Sequence, residues 1–144
     1  MFKYGKIQIK KVNNFLLARK ENFDIYQTLF FNHELFFIQK EFGESSAFSF
    51  IFVLRKQYKH LRKKLFNFLE KNKIQYRLIT GGSFIRHPSK KYFNYKVYKN
   101  LKHSNYIHDN GFFIGNTAKD LKNNLLYFKK VVNEFLIINK IKEK

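Results

Sequence analysis

Ile74-Gln75-Tyr76-Arg77-Leu78-Ile79-Thr80-Gly81-Gly82-Ser83-Phe84-Ile85-Arg86-His87-Pro88-Ser89-Lys90-Lys91-Tyr92 is the stretch around which the rest of the chain can be arranged. Residues 76–79 are a short apolar strand candidate that runs into Gly81 and Gly82, and Ser83, Arg86, His87 and Pro88 follow the break. Glycine takes positive φ without penalty, and its missing side chain lets the backbone approach a ligand closely. A strand end opening into a glycine turn with several polar side chains is a common way to aim groups at a ligand. The same text also suits an ordinary strand-to-loop exit with a solvated basic tail, because a Gly-Gly pair is a weak signal by itself.

On the C-terminal side, residues 90–102 interleave Tyr92, Phe93, Tyr95 and Tyr98 with Lys90, Lys91, Lys96 and Lys99. Single-stranded nucleic-acid platforms use such a mixture. A short helix with buried aromatics and solvated lysines is the preferred reading here, since no RNP-like or OB-like pattern surrounds it. Asp109-Asn110-Gly111 predicts a turn that delivers a strand at residues 112–114. Thr117 then opens a last helix, with Asp120 as a capping-box-like partner and an apolar stripe at Leu121, Leu125, Phe128, Val132 and Phe135.

On the N-terminal side, Tyr58, Leu61, Leu65 and Leu69 mark one face of a helix over residues 57–71, with Asn72 as its left-handed terminator. Residues 48–54 are a continuous apolar run of strand length, rich in β-formers and expected to be covered on both faces. Residues 32–46 read as a connector, with an apolar patch at 35–38 that could serve as an edge strand. Before it, Val12, Phe15, Leu16, Phe23 and Tyr26 recur at helical spacing and predict one long amphipathic helix over residues 6–30. Three short strands with helices on one face make a two-layer α+β domain. The divisions expected are an N-terminal helix over 1–31, the α+β domain over 32–139 and a basic tail over 140–144.

The totals bound what such a domain can do. At 144 residues the chain is one domain, and its nineteen phenylalanines are enough for a modest core. The absence of cysteine removes disulfides, thiolate zinc sites and cysteine nucleophiles, and fits a reducing compartment. No apolar run approaches the roughly 18 residues of a membrane span, and residues 1–8 lack the apolar core of a signal peptide, so the expected address is the cytoplasm. A net charge of +19 permits binding to nucleic acid or an anionic surface by counterion release. Against that, the basic residues are scattered along the chain, and the joint abundance of Lys, Asn, Phe, Ile and Tyr is what AT-rich coding produces. No Walker loop, dinucleotide fingerprint, zinc-type histidine pair or Gly-x-Ser-x-Gly elbow is present. His87, His103 and His108 suit acid-base or anion-contact roles, or plain surface hydrogen bonding. No self-sufficient catalytic set emerges.

Several segments, in order, resemble the C-terminal part of the DegT/DnrJ/EryC1/StrS family of pyridoxal-phosphate sugar aminotransferases and dehydrases. Gly5-Lys6-Ile7-Gln8-Ile9-Lys10-Lys11 resembles the family's Gly-x-x-Gln-Leu-x-Lys, and residues 18–23 its Arg-Arg-x-x-Asn/Ala segment. Ser45-Ser46-Ala47-Phe48-Ser49-Phe50 resembles Ser-x-x-Phe-x-Phe. Ile74-Gln75-Tyr76-Arg77 and Gly82-Ser83-Phe84-Ile85-Arg86-His87-Pro88 resemble the Ile-x-x-Arg, Gly-Asn and Arg-x-Pro signature. Residues 108–116 resemble the turn and strand near the family's C-terminus. Ser83 stands where Asn is usual, and Ala47 where a bulky aromatic is common.

The resemblance implies the small C-terminal domain of a fold-type I aminotransferase, with a mainly antiparallel three-stranded sheet. It implies pyridoxal phosphate as cofactor, nucleotide-linked 4-keto-6-deoxy sugars as substrates and a homodimer as the usual assembly. The family's large domain, with its cofactor-binding lysine (histidine in the dehydrase branch), would lie upstream of Met1. The chain is thus expected to be inactive unless that domain comes in trans or from a full-length paralogue. Arg77, Ser83, Arg86, His87 and His108 would then face the nucleotide-sugar or cofactor pocket. Arg86 suits a diphosphate or sugar-hydroxyl contact, because its fork matches anionic oxygens. Arg77 is equally readable as a structural strand-end arginine. The alternative function is a small basic module for single-stranded nucleic acid.

Overall fold

The computed structural model describes residues 3–79 and 82–141. Thr80, Gly81 and residues 142–144 of the basic tail lie outside the described residues, and with them the positive φ expected of Gly81. Strands β1 (Phe36–Ile38), β2 (Ser49–Leu54), β3 (Arg77–Leu78) and β4 (Gly111–Gly115) form one antiparallel sheet in the order β1-β2-β4-β3. The sheet therefore has four strands, and the apolar patch at 35–38 supplies the edge strand β1. Alternation along β2 buries Phe50, Phe52 and Leu54. Its partners across the ladder, Phe36 on β1 and Phe112 on β4, are buried on the same face.

Helices α2 (Val12–Phe30), α3 (Arg62–Lys71) and α5 (Lys122–Ile138) cover that face. Phe52 is the hub. Its ring lies 5.0 to 5.4 Å from those of Tyr26, Phe30, Phe36, Phe112 and Phe128, so both helical and strand rings meet on it. Each fully buried ring of this kind contributes about 1.5–3 kcal/mol by leaving water. α4 (Lys102–Asn110) approaches from the other face: a Cβ on Gly111, the register partner of Val53, would meet the Ile107 carbonyl at 2.5 Å. Only glycine fits where that helix passes directly into β4, and the turn expected at residues 109–111 is in fact this helix end.

The long N-terminal helix is interrupted. α1 (Lys3–Ile9) ends before Lys10 and Lys11, and α2 begins at Val12. Phe23, Tyr26 and Phe30 carry the stripe into the core, whereas Val12, Phe15, Leu16 and Leu17 remain 39–60% exposed. The expected 57–71 helix splits into a 3-10 segment (Lys56–Leu61) and α3. It is terminated by Lys73 at φ 56°, not by Asn72, and the Ile74 N–H reaches back to the Leu69 carbonyl. α5 starts at Lys122, five residues after Thr117. The expected capping box does not form: Asp120 precedes the helix and accepts the Lys122 N–H at 2.8 Å, while Thr117 Oγ1 accepts the Lys119 N–H at 3.2 Å.

Residues 93–101 contain no helix, contrary to the preferred reading. A 3-10 turn (Pro88–Tyr92) leads into irregular chain, and Tyr92 (75%), Phe93 (58%), Tyr95 (41%) and Tyr98 (78%) are exposed rather than buried. Within that chain Lys99 takes a left-handed φ of 54°, which does not continue a helix. Among the described residues, no helix is long and apolar enough to cross a membrane.

Candidate functional site

The glycine turn after β3 and the end of α4 come together. Gly82 takes φ +45°, and a Cβ on it would sit 1.9 Å from His108 Nδ1, so only a glycine lets the imidazole lie against this backbone. The next residue completes the contact: the Ser83 N–H donates to His108 Nδ1 at 3.1 Å. An accepting Nδ1 puts the ring proton of neutral His108 on Nε2, which leaves that N–H as a donor. Three residues further on, Arg86 Nη1 donates to Asp109 Oδ1 at 2.6 Å. Both partners of this pair are roughly half exposed, with side chains 42% and 52% accessible. Solvent screening keeps its contribution to stability to about 1 kcal/mol at most. Its geometric effect is larger, because it holds one nitrogen of the guanidinium in place while the fork stays open to water.

Two consecutive anchors therefore fix the turn at residues 83–86 on consecutive residues of one helix. A 3-10 turn (Phe84–Arg86) between the anchors gives the segment its shape. Ser83 is buried at 1% exposure, and its Oγ has no hydrogen-bond partner among the described residues.

Of the five residues singled out in the sequence, Ser83, Arg86 and His108 are brought together. His87 is exposed and spent on local structure: its Nδ1 pairs with Ser89 Oγ at 2.7 Å and receives the Ser89 N–H at 3.3 Å, starting the Pro88–Tyr92 turn. Arg77 stands on β3 opposite Phe113. It lines a shallow recess with Phe48, Tyr76, Leu78 and Asn116. Among the described residues, no hydrogen bond links it to the His108 group. Asp109, which the sequence offered only as a turn former, proves to be the partner that positions Arg86.

A second polar cluster is buried below the sheet's other end. Asn22 Nδ2 donates to Asn116 Oδ1, Thr117 O and Lys119 O, and Asn22 Oδ1 accepts the Leu121 N–H at 2.9 Å. Asn116 Nδ2 donates in turn to Arg19 O and Ala47 O. With every partner on the protein, this pair reads as a structural clasp. His33 is a third buried polar group. It is stacked on Phe36, and burial, with Lys129 and Arg55 nearby, lowers its pKa to about 3.

The signature of the DegT/DnrJ/EryC1/StrS aminotransferase family matches residues 4–124. GDP-4-keto-6-deoxy-D-mannose 3-dehydratase of Escherichia coli O55:H7 is 33% identical over 129 residues, which are 89% of this chain and 33% of that enzyme. The E. coli dehydratase structure with bound hydrated pyridoxal phosphate superposes with a TM-score of 0.84 at 34% identity, over 88% of this chain and 33% of that one. A histidine mutant of the dehydratase with bound GDP-perosamine gives the same TM-score at 33% identity, over 89% of this chain and 33% of that one. The chain thus spans about a third of the length of the relatives it matches. Motifs, fold and similarity agree, and the chain belongs to the DegT/DnrJ/EryC1/StrS aminotransferase family.

Proposed function

We propose that this chain supplies the substrate-side wall of a pyridoxal-phosphate enzyme acting on a nucleotide-linked 4-keto-6-deoxy sugar, by 3-dehydration or by amino transfer. Arg86 is the anion contact, with its fork turned to the diphosphate or to sugar hydroxyls. His108 offers its Nε2–H, and Gly82 and Ser83 hold the imbedded ring in that orientation. Arg77 lies at the margin of the wall and His87 supports the turn. The observation that carries the reading is the double anchoring of residues 83–86 on His108 and Asp109, in a chain that follows a third of the dehydratase.

The described residues do not by themselves fit the cofactor. Holding pyridoxal phosphate takes a gripped ring and phosphate with a reactive side chain against it. Here every described lysine side chain is exposed except that of Lys129, which is half-buried with its ammonium over the Phe30 ring. On this reading the cofactor is held mainly by residues outside those described, in the two-thirds of the relatives that this chain does not cover. A cytoplasmic address accompanies this reading and agrees with the cysteine-free sequence.

Reconstitution tests it. The chain is co-expressed with a polypeptide carrying the other two-thirds of such an enzyme, and the complex is assayed on a GDP-linked 4-keto-6-deoxy sugar. Turnover is expected only with both parts present, and Arg86→Ala should raise KM about tenfold or more, the worth of a hydrogen bond to a charged group. Failure of the parts to associate, or an active complex indifferent to Arg86→Ala, would overturn the proposal.

A further inference from the structure

Large aromatic side chains are normally among the best-buried residues of a domain, so the loop after the Arg86 turn needs an explanation. Phe84, Phe93 and Tyr95 remain 48%, 58% and 41% exposed, yet they are organised. The Phe84 ring meets Phe93 edge-on at 5.5 Å and Tyr95 edge-on at 6.2 Å. Phe84 itself is held on either side, by the Ser83 N–H on His108 and by Arg86 on Asp109. One residue, Ile85, separates Phe84 from Arg86, so their Cα atoms are at most about 7 Å apart, comparable to the ribose that joins a base to its diphosphate.

The surroundings are cationic. No acidic residue occurs between Glu70 and Asp109. Lys91 and Lys99 lie over the Tyr92 and Tyr98 rings, each 5.0 Å from the centroid.

We propose, resting on the function given above, that Phe84, Phe93 and Tyr95 form a nucleobase platform: the base of the nucleotide sugar lies on their exposed faces while the guanidinium of Arg86 takes its diphosphate. A base offers a flat π face whatever its identity, so stacking on aromatic rings gives affinity without a hydrogen-bond code. The guanidinium adds the charge-assisted bonds that a diphosphate accepts. Single-stranded nucleic acid presents the same base and phosphate chemistry. The compact triad next to one oriented arginine favours a single nucleotide, since a strand needs successive platforms along a groove.

Saturation-transfer NMR on the full chain separates these sources, with GDP, guanosine, glucose 1-phosphate and an oligothymidylate as probes. GDP should receive saturation most strongly at its base proton, guanosine less because it lacks phosphate, and glucose 1-phosphate least. Tyr95→Ala and Phe93→Leu should each weaken GDP binding roughly tenfold. Tyr95→Phe, which keeps the ring, should restore it, and circular dichroism checks that the variants stay folded. GDP binding lost on Arg86→Ala but unchanged in the loop variants would overturn the platform while leaving the proposed function standing. Tight oligothymidylate binding without GDP binding would overturn it in favour of nucleic acid. Absence of transfer to GDP in the unaltered chain would also overturn it, and the reconstitution assay would decide the wider function separately.

Discussion

Gly82 shows how closely the turn is fitted to its helix. Its φ of +45° lies in the region L side chains avoid, and any Cβ would fall on the His108 ring. Gly82→Ala therefore has to strain the backbone, at about 1–3 kcal/mol, and also to swing His108 off the Ser83 N–H. Urea denaturation should show a loss of about 2 kcal/mol or more. Gly115→Ala, with nothing within 4 Å of the added methyl, should stay within about 0.5 kcal/mol. Equal losses at both positions would refute this account of the turn.

His33 gives a pH signature at the same scale. Its pKa falls from 6.5 to about 3 in the fold, first through burial and then through Lys129 and Arg55. Between those values the unfolded chain binds more protons than the folded one, so stability falls as pH falls from 6.5 towards 3, approaching about 1.4 kcal/mol per pH unit. His33→Gln should flatten the slope measured between pH 6.5 and 5, where carboxylates contribute little. A variant with the parent's slope would contradict this assignment. At this scale the sequence was informative where geometry is local: the break at Gly82 and the turn that follows it were readable from one stretch. Asp109 was not, because a residue that closes an ion pair with one 23 positions away looks like a turn former in its own neighbourhood.

Elements are joined by side chains that stand in for backbone. The β1–β2 register pairs Phe36 with Leu54 and Ile38 with Phe52, so Gln39 would face Ile51 next. There β1 leaves the sheet, and the Tyr26 hydroxyl fills the gap, donating to Ile51 O and accepting the Gln39 N–H. Gln27 Nε2, one residue further along α2, donates to the Gln39 carbonyl at 2.7 Å. Asn22 does the same work between α2 and the segment leading into α5, satisfying two carbonyls, one N–H and the Asn116 amide. Removing it strands several buried polar groups at about 1–3 kcal/mol each. Asn22→Ala should cost about 3 kcal/mol in urea denaturation, and a loss under about 0.5 kcal/mol would show that the clasp is not structural. Helical periodicity located the buried faces of α3, α5 and the second half of α2, because amphipathic spacing is written in the elements themselves; the continuous apolar run of β2 hid the alternation that buries Phe50, Phe52 and Leu54. The true start of α5 was not legible, since the bond that holds the Leu121 N–H comes from Asn22, 99 residues away, and leaves no local trace. The exposed aromatics at 92–98 were misread for a related reason: aromatic content signals burial only when something is there to cover it.

As a whole, the molecule sets a phenylalanine core against a charge of +19. Self-repulsion opposes compaction, and salt screens it, with a Debye length shrinking from about 30 Å at 0.01 M to about 3 Å at 1 M. The melting temperature should therefore rise between low salt and 0.5 M NaCl, and a fall or no change would mean that charge is not the limiting term. Ile9, Val12, Leu16 and Leu17 leave an apolar strip along α1 and α2 that is 43–71% exposed, a surface of the kind that associates. Under the proposed function, that strip is a surface for the two-thirds of the relatives that this chain does not cover. On the same proposal, the side chain that reacts with pyridoxal phosphate is not one of the described lysines, which are exposed apart from Lys129. The most direct test of this central claim is to titrate the purified chain with pyridoxal phosphate, reduce with borohydride and map the labelled peptides. The account predicts labelling spread thinly over surface lysines with no site saturating, whereas one lysine of this chain saturating at a single equivalent would contradict it.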